Sequence, residues 1–474
     1  MMTDCDDSRG GTGLPKLTIL GGGPAGLAVA YYAKKAGLTY SVLEAAEDVG
    51  GNCRTLEFAG HRFDTGAHRL HNERPRVTAE IRSLLGDDLL TVEAPSRICI
   101  DGKLLDFPIS VLNLLRTLDL PTVACIVRDK FKTLGRSAAD ASNFADFATT
   151  RYGKELAQML LLGYTAKLWG ADPARLSTRV AGGRLKGLDL RTFVLEMVRG
   201  TGGKRRHLDG TFYYPRNGYG SIMDAVAAAV GRQHIHCRAL VNGLRHDGSR
   251  ITHVAVEGSA PQPVEQLVST LPLTVAVRAL QPAAPKAILD LAAGLRFRHL
   301  RLAVFVLHKP SFSPNASLYF PDPADPYTRI YEPKNRSRAL SPAEETTIVV
   351  EIPCSSTDDV WLDDDRKILE RICSSLARKN LLLPSDVRAG CTVRLRNAYP
   401  ILEVGFEDRA GALGEFLESF DNLSLAGRSA RFEYTHVHEI FAAAEALVED
   451  LGACASNPLA LPSSSECGSE SLAA

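Results

Sequence analysis

The chain opens its recognisable pattern with an apolar run, Leu17 to Leu20, too short for a helix and free of polar alternation, which predicts a strand buried on both faces. An Ala-rich stretch of helical character follows and ends at Gly37, and a second apolar run, Tyr40 to Leu43, predicts another parallel strand. Residues 234–258 alternate in β fashion around Asp247-Gly248, a hairpin signal. The runs "EQLVSTLPL" (265–273) and "DNLSLAGRSARF" (421–432) predict returns to the parallel sheet, and a helix is predicted over 439–451. Between these, residues 107–210 carry helical patterning, whereas "HLRLAVFVLHK", "SLYFPDP" and "TTIVVEIPC" read as strands separated by Pro and Asp turns.

The fold class expected is therefore α/β: a Rossmann-type nucleotide-binding domain with a parallel sheet, an inserted helical substrate domain and an antiparallel β-sheet substrate region. The expected division runs 1–15 (disordered leader), 16–106, 211–294 and 401–452 (three parts of the nucleotide-binding domain), 107–210 (helical insert), 295–400 (β-sheet region) and 453–474 (disordered tail).

Composition narrows the function by exclusion. The 55 basic residues balance 55 acidic ones, so nothing points to nucleic acid or an anionic membrane surface. Ten cysteines lie scattered without a CxxC pair or zinc-type spacing, which indicates neither a metal site nor a disulfide framework and fits a reducing, cytoplasmic setting. No secretory h-region stands at the N-terminus and no apolar run is long enough to span a bilayer.

The chemistry begins between the first strand and helix, where Gly21, Gly23 and Gly26 form GxGxxG. Gly21 permits the tight turn, Gly23 lets backbone approach a pyrophosphate, and Gly26 allows helix and strand to pack closely. Pro24 and Ala25 open the helix whose N-terminal N–H groups favour an anion. Glu44, at the end of the second strand, is placed to accept hydrogen bonds from a ribose.

The doublet Gly50-Gly51, with Asn52 and Arg54, extends this signature, and the combination resembles the FAD enzymes of the amine oxidase and protoporphyrinogen oxidase superfamily. "FDTGAHRLH" (63–71), "GYTAKLWGADPARLS" (163–177), "PYTRIYEPKN" (326–335), "AYP" (398–400) and "LAGRSARFEYTHVHEI" (425–440) are similar to stretches of UDP-galactopyranose mutases in the same order. "GRLKGLDL" (183–190) and "GTFYYPRNGYGSIMDAVAAAV" (210–230) look more like the protoporphyrinogen-oxidase branch.

That resemblance implies non-covalent FAD along Gly21–Gly26, Glu44, Gly50–Asn52 and Arg54, with Arg54 at the phosphates and Val241 against the adenine. It places Gly66, Ala67, His68, Gly427, Arg428, Tyr434 and His436 around the flavin. His68 and His71 would fall in the flavin-facing loop, with Trp169 in the helical insert. Arg329, Tyr399 and Tyr434 match diphosphate-binding positions of the mutases. Two departures weigh against a mutase: a second diphosphate arginine is replaced by Lys186-Gly187-Leu188, and the aspartate after the last tyrosine by His436.

From the residues alone, Arg329 has other partners available, Glu332 or Asp325, with Glu351 a further one; Trp169 and both tyrosines could equally be core. His68 and His71 lack a nearby carboxylate or cysteine to complete a metal set. The leading expectation is an FAD-dependent oxidoreductase moving hydride from a C–H bond of a small or medium metabolite, such as a sugar or natural-product intermediate, to flavin N5, with His68 or His71 assisting proton movement. A flavin-dependent pyranose–furanose mutase is the alternative, and a flavoprotein that only binds its ligand comes third. For residues 107–134 a helical cover over the cleft is preferred to a membrane-docking surface. Oligomeric state is not readable.

Overall fold

A computed structural model describes residues 16–100, 102–107, 111–133, 136–181 and 211–456. Leu17–Leu20 is the centre of a five-stranded sheet in the order Leu423–Leu425, Gln266–Ser269, Leu17–Leu20, Tyr40–Leu43, Ile235–His236, all pairs parallel. The expected returns at 265–273 and 421–432 are those two strands. Ile235–His236 belongs here as well, although it was expected within the alternating region beyond it. The helices Pro24–Lys35, Gly220–Val230 and Val437–Ser456 contribute Leu27, Val29, Ile222, Val226 and Phe441 to one core cluster with Ile19 and Val42.

The alternating region folds as expected around Asp247, whose carboxylate accepts from the backbone N–H of Ser249 and Arg250 and closes the turn between Val241–His246 and Ile251–Val256. The C-terminal helix is longer than its expected span of 439–451. It begins at Val437, where Glu439 caps the His436 N–H at 2.7 Å, and its helical backbone runs on through Ala453–Ser456, residues expected to open the tail. The leader and the tail beyond residue 456 lie outside the described residues.

The largest sheet has seven strands in the order Val387–Pro400, Phe297–Leu307, Thr346–Cys354, Arg329–Tyr331, Ser317–Tyr319, Ser96–Ile100, Lys103–Phe107. Within Phe297–Leu307, residues 302–307 are apolar without alternation because both faces are covered. Leu300, Leu302 and Val304 pack on Phe63 of the hairpin Thr55–Asp64, while Ala303, Phe305 and Leu307 share a cluster with Ile368, Ile372 and Leu376 of the helix Asp365–Arg378. Two features depart from the expected division. Ser96–Phe107 joins this sheet instead of the parallel one, through the parallel pairing of Ser96–Ile98 with Ser317–Tyr319, and residue 107 closes a strand instead of opening the helical insert.

The described part of the insert holds the helices Val111–Thr117, Leu120–Lys132, Phe144–Tyr152 and a run over 154–169 that widens to π geometry at Ala157–Leu162. Residues 182–210, including Arg184 and Lys186-Gly187-Leu188, lie outside the described residues. Among the described residues no helix is long and apolar enough to cross a membrane.

Candidate active site

Gly21 and Gly26 bring the first strand and helix into close contact. A Cβ on Gly26 would stand 1.8 Å from the Gly21 carbonyl oxygen, so helix and strand meet backbone to backbone there. Gly21 itself has φ +99°, and its N–H donates to Leu43 O at 2.8 Å. At Gly23, in contrast, a Cβ would meet nothing nearer than Gly51 Cα at 3.8 Å, which leaves open space over the turn. Gly50 and Gly51 lie against this turn: Gly50 N–H donates to Gly22 O at 2.8 Å, and a Cβ on Gly51 would approach Gly23 Cα to 3.2 Å. From the far side Gly427 closes on Ala25, whose Cβ lies 2.3 Å from where a Gly427 side chain would begin.

Glu44 accepts from the backbone N–H of Gly22 at 2.5 Å and of Ala46 at 2.8 Å, so one carboxylate fixes the turn and the end of its own strand. Ala239 N–H donates to the backbone carbonyl of Glu44 at 2.8 Å, which ties the approach to the Val241 strand to the end of Tyr40–Leu43. Arg54 Nε is buried without a hydrogen-bond partner. A Gly-lined hollow at a helix N-terminus, a strand-end carboxylate beside it and a buried guanidine N–H with nothing to bond suit an anionic dinucleotide. The residues present fit FAD.

The loop carrying His68 is held from two sides. Asp64, fully buried, accepts from Thr55 Oγ1 at 2.7 Å, Tyr219 N–H at 2.9 Å and Tyr214 Oη at 2.5 Å, while Tyr331 Oη donates to its backbone carbonyl at 2.6 Å. Burial pushes the Asp64 carboxyl up, and those donors together with Arg336 pull it back. Three residues on, Ala67 N–H donates to Glu351 at 3.0 Å. Within this frame His68 stacks on Tyr219, ring centres 4.9 Å apart, with Nε2 3.0 Å from the Asn52 carbonyl. A backbone carbonyl accepts only, so that nitrogen carries the proton.

Burial, reinforced by Arg329, pushes the His68 pKa down to about 3. His71 is pushed down to about 4 by burial and Arg69, with Glu73 opposing. It packs against Phe212, ring centres 6.4 Å apart, with His436 and His438 nearby; His438 lies 3.3 Å from Glu73. The two histidines are thus neutral and occupy different surroundings. Among the described residues no cluster of His, Cys, Asp and Glu could hold a metal.

Arg329 meets neither Glu332 nor Asp325. It stands opposite Glu351 in the sheet register and donates through Nε and Nη2 at 2.8 and 2.7 Å. Burial alone would lower the guanidinium pKa, but Glu351 beside it holds it well above the ordinary value. Glu332 instead caps the N–H groups of Phe312 and Ser313, and Asp325 pairs with Lys379.

Trp169, Tyr399 and Tyr434, from three distant segments, form one cluster. The tyrosine rings stack at 6.0 Å and 27°, and Trp169 meets them edge-on at 6.1 and 5.7 Å. Arg428 lies over both tyrosines, 5.0 and 4.3 Å from their ring centres, and donates to Ala398 O at 2.8 Å. Tyr434 also approaches His436, ring centres 5.8 Å apart. Tyr319 and Tyr164 meet edge-on at 6.1 Å, with Arg329 over the Tyr319 ring.

Four residues of this region were not singled out in the sequence. Asp64, Tyr219 and Tyr319 gave no local signal, since each acts through partners from distant segments. Lys167 sits two residues before Trp169 and donates to the carbonyls of Phe320, Asp322, Asp325 and Tyr327 at 2.6–3.3 Å, pinning the helix to the connection between Ser317–Tyr319 and Arg329–Tyr331.

Comparison with known proteins agrees with this construction. The chain is 25% identical over 288 residues to the chloroplastic protoporphyrinogen oxidase of Nicotiana tabacum, covering 56% of this chain and 52% of that protein. It is 30% identical over 176 residues to chloroplastic protoporphyrinogen oxidase 1 of Arabidopsis thaliana, covering 35% and 33%. The chain thus spans a third to about half the length of these curated relatives. A crystal structure of reduced UDP-galactopyranose mutase superposes with a TM-score of 0.80 at 18% identity, over 94% of this chain and 98% of the other, which establishes the fold. Residues 24–439 match the model of the flavin containing amine oxidoreductases, and the chain belongs to that family.

Proposed function

We propose that the protein holds FAD non-covalently and oxidises a C–H bond of a small or medium-sized metabolite. The observation that carries the choice of chemistry is the Arg329–Glu351 fork: the guanidinium a mutase would offer to a diphosphate is already gripped by both oxygens of a buried carboxylate. Non-covalent attachment is supported by Cys53, whose thiol burial pushes up to about 12, and by His68, whose Nε2 is committed to Asn52.

In this reading Gly23, the helix N-terminus and Arg54 hold the diphosphate of the cofactor, and Glu44 its ribose. Val241 lies at the adenine. Gly66, Ala67, His68, Tyr434 and His436 would hold the ring system. When bound, the flavin would supply a two-electron acceptor for the hydride of the substrate C–H bond. Trp169, Tyr399 and Tyr434 bind and orient the substrate and exclude water. His68 and His71 shape the loop, since imidazoles with pKa values of about 3 and about 4 are weak bases.

The mutase reading is kept alive by the joining of Trp169, Tyr399 and Tyr434. The two are separated by mixing oxidised holoenzyme anaerobically with candidate metabolites while flavin absorbance is followed. Substrate-dependent bleaching supports the oxidoreductase. A sugar–flavin adduct trapped from reduced enzyme and a nucleotide sugar, without bleaching, supports the mutase.

A further inference from the structure

The carboxylate that anchors the His68 loop is surrounded by neutral donors. Asp64 is fully buried and accepts from Thr55 Oγ1, Tyr219 N–H and Tyr214 Oη. A carboxylate so placed is costly unless a positive charge balances it. Around the loop the other titratable groups supply none: Tyr219 and Cys53 are neutral, His68 is neutral, and Arg329 is matched by Glu351.

Arg336 is the opposite case. It is 3% exposed, donates to Ala316 O at 3.2 Å, and keeps Nε and Nη1 without a partner among the described residues. Two tyrosines touch both charged residues. Tyr331 lies under the guanidinium, ring centre 4.5 Å away, while its Oη donates to the Asp64 backbone carbonyl at 2.6 Å. Tyr214 has its ring centre 5.9 Å from the same guanidinium and its Oη on the Asp64 carboxylate. In a low-dielectric interior opposite charges attract across several ångströms, and a tyrosine with a cation over its face and its hydroxyl on an acceptor is polarised so as to strengthen both contacts.

We propose, resting on the reading above in which this loop holds the flavin, that Arg336 is the counter-ion of Asp64, acting through Tyr214 and Tyr331, and is thereby a positioning residue for the loop Gly66–His68. Without that charge the anchor of the loop is an unbalanced buried carboxylate, which only a proton can relieve.

The test is the pH dependence of thermal unfolding, measured on purified holoenzyme together with FAD affinity. Arg336→Met keeps an apolar stem over Tyr331 and removes the charge, so its unfolding midpoint should fall at least about 3 °C below wild type at about pH 8. Burial already pushes the Asp64 carboxyl up, and the variant pushes it further, so the fold binds a proton that the unfolded chain does not. Acid should therefore restore the variant, with at least about half of its deficit gone by about pH 5.5. The Arg336 charge also acts on His68, and the Asp64→Asn background separates the two, since the part of the recovery due to Asp64 must disappear there. At about pH 8 Arg336→Met combined with Asp64→Asn should unfold above Arg336→Met alone. The Kd for FAD should rise at least about fivefold in Arg336→Met and stay within about twofold of wild type in Arg336→Lys.

A deficit independent of pH, a recovery undiminished in Asp64→Asn, a double variant no more stable than Arg336→Met, or unchanged FAD affinity in Arg336→Met would each overturn the proposal. If Arg336→Met fails to fold, the double variant decides, because it should fold. Wild type that binds no flavin counts against the oxidoreductase reading, whereas the charge couple is still read from unfolding.

Discussion

Arg329 and Glu351 face each other across neighbouring antiparallel strands and share two hydrogen bonds of 2.7 and 2.8 Å in a nearly dry site. Removing one partner strands the other. Arg329→Ala should destabilise the fold by about 3 to 5 kcal/mol, whereas Arg329→Met combined with Glu351→Gln should recover most of the loss. Denaturant unfolding of the wild type and the two variants measures this, and equal losses in the single and double variants would refute the pair as a closed unit.

Gly23 and Gly26 should fail in different ways. Gly26→Val collides with the Gly21 carbonyl and should prevent folding. Gly23 has an ordinary extended φ of −77° and free space beside it, so Gly23→Val should keep the unfolding midpoint of the apoprotein and lose flavin. Absorbance near 450 nm and thermal unfolding, measured on the same preparation, separate the two outcomes.

Acid should weaken the protein through its histidines. The pKa values of His68 and His71 in the fold, about 3 and about 4, lie below the ordinary 6.5, so the unfolded chain binds more protons between those limits. The stability this neutrality contributes is complete above about pH 6.5 and is lost as pH falls toward 4, at up to about 1.4 kcal/mol per pH unit for each group. Urea unfolding between pH 7 and 4.5 should show a slope shallower by about one proton in His68→Gln; an unchanged slope would exclude His68 from the effect.

Lys167 fastens the tryptophan helix to four carbonyl oxygens. Lys167→Met leaves those acceptors without their donor and should destabilise by about 2 to 4 kcal/mol. Acrylamide quenching of Trp169 should rise in the same variant, and unaltered quenching would show that the helix is held by other contacts.

What could be read in advance follows the range of each interaction. Gly21, Gly23, Gly26 and the two flanking apolar runs are local, and the strands Leu17–Leu20 and Tyr40–Leu43 lie where the pattern placed them. The partner of Arg329 was not local. Glu332 and Asp325 are nearer in the chain, but strand register selects Glu351, and register between strands 15 residues apart leaves no mark on either one. The meeting of Trp169, Tyr399 and Tyr434 was expected only through resemblance, since each tyrosine taken alone fits a core position. The long edge strand Val387–Pro400 was not recognised at all: it is mostly half-buried, and its polar and apolar residues do not alternate cleanly.

The loop from Asp64 to Leu70 is tied at one end to Thr55 and Tyr219 and in its middle to Glu351 of the large sheet, while Tyr331 of that sheet reaches back to the Asp64 carbonyl. In mechanical terms it is a brace between two walls, and neither wall can swing away without tearing it.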